Sequence, residues 1–264
     1  ELEFCEADIR QAVRMESLLE GAERVFHQAA MVSVQHSVED PRLCHEINVT
    51  GSLNVLEAAR RSGVKKVVFA STCAVYGDSE ELPKRESMTP ESRSPYAASK
   101  LMDEQYARLY SELYDLPVIG LRYFNVFGPG QDPSSDYAAV IPKFITRMLD
   151  GKPPIIYGDG EQTRDFVFVE NVVDANLKAA EADAGGEILN IGSGVRYSLN
   201  ELVSILNEVF SSDFQPVYES ARVGDVLHSL AAVERAEAEI GFRTEVDFKE
   251  GLERTVGEMR GTRD

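Results

Sequence analysis

Tyr96 and Lys100 stand four residues apart in the run Tyr96-Ala97-Ala98-Ser99-Lys100, a spacing that puts both side chains on one face of a helix. An ammonium beside a phenol stabilises the phenolate and lowers its pKa from about 10 toward neutrality, so such a pair works as a general base. The spacing alone is a weak signal. Two neighbours strengthen it. Ser94-Pro95 places a capping residue and a first-turn proline immediately before the tyrosine, and hydroxyl residues, Ser71 and Thr72, follow an apolar run upstream. A second kind of chemistry is suggested by charge. The 27 Lys and Arg are outnumbered by 45 Asp and Glu, giving a net charge of -18. A chain this acidic repels nucleic acid and anionic membranes. If it binds a small anion it must gather its few cations locally, which singles out arginines in loops.

The elements that must position these residues are legible as apolar runs and helical periods. Arg24 to Ala29 reads as a short buried strand, and Pro41 to Arg61 carries Leu43, Ile47, Leu53, Leu56 and Ala59 near helical spacing, with Gly63 as its stop. Lys65 to Ala70 is a second strand, Ser94-Pro95 opens a long helix with Leu101, Met102, Leu109 and Leu113, and Pro117 to Arg122 is a third strand. Near-continuous apolar strands alternating with helices predict a parallel sheet covered on both faces. In such sheets ligands lie beyond the carboxyl ends of the strands. That places Ser71 to Gly77 and Tyr123-Phe124-Asn125 for function. Beyond Asn125 the chain turns loop-rich, with Gly128-Pro129-Gly130 and Gly158-Asp159-Gly160, and Ser198-Leu199-Asn200-Glu201 is a capping box for a helix through Phe210.

With 43% hydrophobic and 27% charged residues over 264 positions, the chain is a globular protein with room for a real core. Cys5, Cys44 and Cys73 are scattered and odd in number, which predicts a reducing, cytoplasmic setting, no disulfide framework and no metal site. No apolar run reaches the roughly 18–20 residues of a membrane span. The start at Glu1 lacks an initiator Met and a signal pattern.

Beyond these patterns, the ordered segments His27-Gln28-Ala29-Ala30, Asn48 to Leu56, Ser71 to Gly77, Tyr96-x-x-x-Lys100, Arg122 to Pro129, Gly160 to Phe166 and Arg222-Val223-Gly224-Asp225 make the sequence resemble the extended short-chain dehydrogenase/reductases. The likeness runs over essentially the whole chain. It is strongest to the nucleotide-sugar epimerases and dehydratases, and within them to the UDP-hexose 4-epimerases. The resemblance implies an α/β doubly wound sheet of Rossmann type in residues 1–126 and a smaller nucleotide-sugar-binding region in 127–264, with parts near 165–192 returning to the sheet. It implies NAD as cofactor, a UDP-sugar as substrate and a homodimer. Residue by residue, it makes Thr72, Tyr96 and Lys100 the catalytic trio. Asp8, Ile9, Ala29, Ala30, Asn48, Ser71, Tyr96, Lys100 and Tyr123 are placed at the cofactor, and Thr72, Asn125, Arg164, Arg222, Asp225 and Ser229 at the substrate. Ser229 matches a wall position where the family has either a large Tyr or a small residue, and a small one leaves space for a 2-acetamido group.

One departure stands out. The family opens with a strand, a glycine-rich turn and a helix that cradle a pyrophosphate, and neither G-x-x-G-x-x-G nor G-x-G-x-x-G occurs here. The expectation is that about 50–60 residues, a βαβαβ portion, are missing ahead of the matching segment. His27 reads as a packing residue and Cys73 as a small buried side chain. The dehydratases and decarboxylases of the family carry Asp or Glu just after the catalytic Thr, where this chain has Cys73 and Ala74. Epimerisation at carbon 4 is therefore favoured over dehydration, over decarboxylation, and over a non-catalytic nucleotide sensor.

Overall fold

The computed structural model describes residues 2–132, 139–221 and 227–261. Its centre is a four-stranded parallel sheet in the order β1 (Arg24–His27), β2 (Lys66–Thr72), β3 (Val118–Tyr123), β8 (Ile188–Ile191). β2 and β3 bury nearly every side chain, Val67, Val68, Val118, Ile119 and Leu121 being wholly enclosed. Both of their faces are covered, so the pattern is continuous rather than alternating. One face carries α1 (Ala12–Leu19), α4 (Gly51–Arg61) and α5 (Pro95–Tyr114), with Leu56, Ala59, Ala107 and Tyr110 packed on Val67, Phe69 and Val118. The other carries α7 (Val169–Glu181) and α9 (Glu234–Ile240), with Val172, Ala175 and Ile240 on Val68, Ile119 and Leu189.

Local sequence explains the boundaries. The segment from Pro41 to Arg61 is one helical path, α3 (Pro41–His45), a π-helical turn at Glu46–Thr50, and α4. Ser94 caps α5 by accepting from the Ala97 amide at 3.1 Å, with Pro95 in the first turn. β2 runs two residues past the apolar stretch and ends on Ser71 and Thr72, and Thr72 then caps a 3-10 turn at Cys73–Tyr76. That turn closes at Gly77, whose φ of +60° and whose contact with the Glu91 carbonyl oxygen exclude a side chain. β1 is shorter than its sequence pattern, ending at His27 rather than at Ala29.

The remaining elements form a second core. β4 (Asn125–Phe127) pairs with β7 (Phe166–Phe168), β5 (Ile155–Tyr157) with β10 (Val217–Glu219), and β6 (Thr163–Arg164) with β9 (Tyr197–Ser198). Around them α6 (Val140–Leu149), α8 (Leu199–Phe210) and α10 (Phe248–Gly261) enclose Phe127, Phe144, Phe166, Phe168, Leu202 and Leu252. The capping box at Ser198 and Glu201 is formed in full, with bonds of 3.1 and 2.7 Å. α2 (Val34–Glu39) sits against the start of α5, its Ser37 hydroxyl accepting from the Tyr96 amide at 3.1 Å.

One expectation is corrected. The apolar residues that mark α5 as a helix do not form its buried face: Met102, Leu109 and Leu113 are exposed, while Lys100, Asp103 and Glu104 are 1–2% exposed. The helix buries charges because each finds a partner inside, as described next.

Candidate active site

At the carboxyl ends of β1, β2 and β3 a cavity of about 630 Å3 opens, walled by Phe26, Val32, Ala70, Val172 and Leu177 and pointed with the polar groups of Ser71, Thr72, Tyr96, Lys100 and Tyr123. The parallel strands dictate this place, since all three end on the same side. Tyr96 and Lys100 share the face of the first turns of α5, as their spacing requires. Ala30 also lines the cavity; Asp8, Ile9, Ala29 and Asn48 do not.

The charges around the cavity are neutralised in pairs. Lys100 Nζ lies 3.0 Å from Asp103 Oδ2, both residues 2% exposed. Arg122 grips Glu104 with two bonds of 2.8 and 2.7 Å, the bidentate geometry of a planar guanidinium. Glu104 also accepts from the Ser71 hydroxyl at 2.6 Å. The Arg122 guanidinium lies over the Tyr76 ring at 4.8 Å. Burial pushes the Asp103 carboxyl up to about 6, against the lowering pull of Lys100. It pushes His27 down to about 3, with Lys100 adding to the effect. His27 is thus a neutral ring, its Nε2 2.8 Å from the Ser52 hydroxyl.

Tyr96 behaves differently from the sequence expectation. Its phenol is raised above the usual tyrosine value, first by burial, with a hydrogen bond to Thr72 working the other way and Asp103 adding to the rise.

Several expected cofactor residues are held by neighbours within the chain. Asn48 is fully buried and clamps the Met31 backbone, accepting from its amide at 2.7 Å and donating to its carbonyl at 3.1 Å, while it donates to Ser99 at 2.9 Å. That clamp fixes the segment leading out of β1. Asp8 is paired with Arg10 at 2.5 Å, which holds its carboxyl at about 2. Ile9 packs against Gly51, where a Cβ would stand 2.6 Å from its side chain. Tyr123 reaches the rim, donating to Gln28 at 3.1 Å and accepting from Asn176 at 2.8 Å. Cys73 is raised to about 12 by burial, which keeps it a thiol.

Val126 lines both this cavity and a second one of about 540 Å3, so the two adjoin. The second is lined by Asn125, Lys143, Arg147, Tyr157, Gln162 and Arg164. It gathers three cations in a chain of strongly negative charge, as an anion site demands. Arg147 Nε donates to the Pro153 carbonyl at 2.7 Å and Arg164 to the Thr163 carbonyl at 3.0 Å, so both side chains are braced by backbone. Asn125 and Arg164 were the residues expected here; Lys143, Arg147, Tyr157 and Gln162 carried no motif and were missed. The basic pair Lys143 and Arg147, four apart on α6, is the signal that could have found those two. Asp165, enclosed behind Arg164, accepts from the Ser193, Gly194 and Ala231 amides at 2.6, 3.1 and 3.0 Å. It ties β7 to the segment that carries Ser229.

Ser229 lines neither cavity. Its amide donates to the Thr163 carbonyl at 3.1 Å, and its buried hydroxyl has no hydrogen-bond partner. Arg222 and Asp225 lie outside the described residues. Among the described residues no cluster of His, Cys, Asp or Glu could hold a metal ion, and no helix is long and apolar enough to cross a membrane.

Residues 1–192 match the NAD dependent epimerase/dehydratase family. The chain belongs to that family. It is 42% identical over 260 residues to the putative UDP-glucose 4-epimerase of Methanocaldococcus jannaschii, covering 98% of this chain and 84% of that protein. It superposes with a TM-score of 0.94, at 40% identity, on UDP-N-acetylglucosamine 4-epimerase of Methanobrevibacter ruminantium in complex with UDP-N-acetylmuramic acid, covering 98% of this chain and 83% of that one. With UDP-glucose 4-epimerase of Thermus thermophilus in complex with NAD the TM-score is 0.86 at 38% identity, over 97% and 84% of the two chains.

The first cavity suits the cofactor that the family name carries. Its walls are apolar, as a nicotinamide ring needs, and the Tyr96 hydroxyl and Lys100 ammonium are a donor pair suited to ribose hydroxyls.

Proposed function

We propose that this protein interconverts UDP-hexoses by inverting carbon 4. The observation that carries the reading is the junction at Val126, where a cavity holding Thr72, Tyr96 and Lys100 meets one holding Asn125, Arg164 and Lys143. A sugar in the first, with its diphosphate in the second, puts a ring hydroxyl at Tyr96. Ala30, Ser71, Lys100 and Tyr123 hold NAD, which when bound accepts the hydride from carbon 4 and gives it back. Tyr96 as phenolate takes the proton of the 4-hydroxyl, and Thr72 hydrogen-bonds the same oxygen. Asn125 and Arg164 keep the diphosphate while the 4-keto sugar turns over. Tyr96 then returns its proton to the same 4-oxygen once the keto sugar presents the opposite face of carbon 4 to the hydride. No net oxidation occurs.

Elimination of water or loss of carbon dioxide needs a further acid or base beside the sugar. Cys73, which follows Thr72, is a thiol raised to about 12 and supplies none. Proton NMR of the protein incubated with NAD and UDP-galactose distinguishes the products. UDP-glucose in equilibrium with its epimer is expected; a 4-keto-6-deoxy sugar, or a pentose in a parallel incubation with UDP-glucuronate, would overturn the reading.

The substrate range we infer includes the N-acetyl sugars, since the relative of 40% identity is named for UDP-N-acetylglucosamine; Ser229 lines neither cavity, so its small size supports this only through the resemblance. Ser229→Tyr is expected to abolish turnover of UDP-N-acetylgalactosamine and spare UDP-galactose; an unchanged ratio of the two would remove Ser229 from the pocket wall. A homodimer is supported by the outward stripe of Met102, Leu109 and Leu113 on α5. A reducing cytoplasm suits three unpaired cysteines, Cys5, Cys44 and Cys73.

A further inference from the structure

Asn200, in the first turn of α8, lines neither cavity, yet it bonds to the chain in four places. Its Nδ2 donates to the Asp159 carbonyl at 3.1 Å and to Glu161 Oε1 at 2.7 Å. Its Oδ1 accepts from the Tyr218 hydroxyl at 2.9 Å. The backbone amide is engaged as well. The first amides of a helix have no partner within it; that of Glu201 is taken by the Ser198 hydroxyl, and that of Asn200 by the Gly160 carbonyl at 3.2 Å. One side chain and its own amide thus hold three successive residues of the turn between β5 and β6.

That turn carries the wall of the second cavity. Tyr157 stands just before it and Gln162 and Arg164 just after, and all three line the cleft, as does Leu199 beside Asn200. Within the turn Asp159 Oδ1 accepts from the Glu161 amide at 3.0 Å, and Gln162 Nε2 donates to the Tyr157 carbonyl at 2.7 Å, which draws the two ends together. Gly158 and Gly160 have φ of +95° and +82°, and the Asn200 amide fills the space that a Cβ on Gly160 would need. A turn with two glycines is loose unless it is tied down, because glycine has the most backbone freedom to lose. Tyr218 brings in β10, which pairs with β5 from Val217 and Ile155 to Glu219 and Tyr157. We propose that Asn200 is a positioning residue for the diphosphate cleft, which fixes Tyr157, Gln162 and Arg164 relative to one another before the nucleotide arrives. The proposal rests on the reading that this cleft takes the UDP portion of the substrate. Without Asn200 the ordering of the turn is left to the ligand, so the loss falls on affinity. Thr72 and Tyr96, on β2 and α5, keep their places.

Calorimetry of the full chain with UDP alone tests this, with kcat and KM for UDP-galactose in the presence of NAD measured on the same preparations. Asn200→Ala is expected to weaken UDP binding about tenfold, with KM raised in step and kcat within about twofold of wild type. A merely structural role would lower the unfolding midpoint and leave the affinity of the folded protein as it was. That result overturns the proposal, and so does a fall in kcat as large as the fall in affinity. Should Asn200→Ala not fold, Tyr218→Phe decides. It removes, from an exposed ring, the bond that points Oδ1 away from the turn and Nδ2 toward it. UDP binding about threefold weaker is expected there, and unchanged binding overturns the proposal. Wild type that binds no UDP would defeat the UDP-sugar reading itself, and the proposal with it.

Discussion

The two adjoining cavities use charge in opposite ways. Around Tyr96 the charged side chains are enclosed and cancelled in pairs, Lys100 with Asp103 and Arg122 with Glu104, each partner 1–2% exposed. Around Arg164 the cations are half-buried in the wall of a cleft, where Arg147 and Arg164 also donate to backbone carbonyls. The difference follows from what each region must do. A base has to be held at one position and one ionisation state, which buried pairs fix because either partner alone is badly solvated. A diphosphate brings its own negative charge, so its site needs several cations gathered along one wall.

The sharpest way to break the comparison is to unpair a buried charge. Glu104→Gln leaves Arg122 enclosed without its counter-ion, and should cost about 3–5 kcal/mol of stability in a denaturant titration. A loss below about 1 kcal/mol would place this pair with ordinary surface contacts. In the Arg164 cleft the effect should fall on binding instead. Arg164→Met is expected to weaken UDP-sugar binding by calorimetry roughly 10- to 100-fold, with the unfolding midpoint little changed. A large fall in stability with intact affinity would reverse the assignment.

A smaller effect concerns pH. The folded pKa of His27, about 3, lies below its ordinary 6.5, so its contribution to stability is present above pH 6.5 and lost as pH falls toward 3. Asp103 has the opposite sign. Its pKa is raised to about 6, so its contribution is present below 3.8 and lost as pH rises through 6. In wild type the two partly cancel between pH 4 and 6. His27→Gln removes the first, and its thermal midpoint should rise relative to wild type as the pH is lowered through that window. Parallel curves would show that His27 is not held neutral by the fold.

Much of this was legible in the residues. The strands announce themselves as Val67-Val68-Phe69 and Val118-Ile119, and Ser94-Pro95 fixes the start of α5 and with it the shared face of Tyr96 and Lys100. The pairing of Lys100 was harder to see, because Asp103 and Glu104 look like the solvated side of a helix whose apolar residues are Met102, Leu109 and Leu113. Yet Lys100, Asp103, Glu104 and Ala107 follow the 3, 4, 7 spacing of a buried face. What the sequence lacks is the partner that makes burial tolerable, since Arg122 comes from β3. The partners of Asp8 and Asn48 are hidden in the sequence for a similar reason. A polar side chain satisfied by Arg10 or by the Met31 backbone looks the same in sequence as one that faces a ligand.

The account turns on Tyr96 as the proton acceptor in a cavity whose neighbour holds the diphosphate. The most direct measurement is Tyr96→Phe, with turnover of UDP-galactose in the presence of NAD and affinity for the same sugar nucleotide determined on one preparation. Turnover should fall by about 10²- to 10⁴-fold with affinity unchanged. Near-normal epimerisation in the variant would contradict the central assignment.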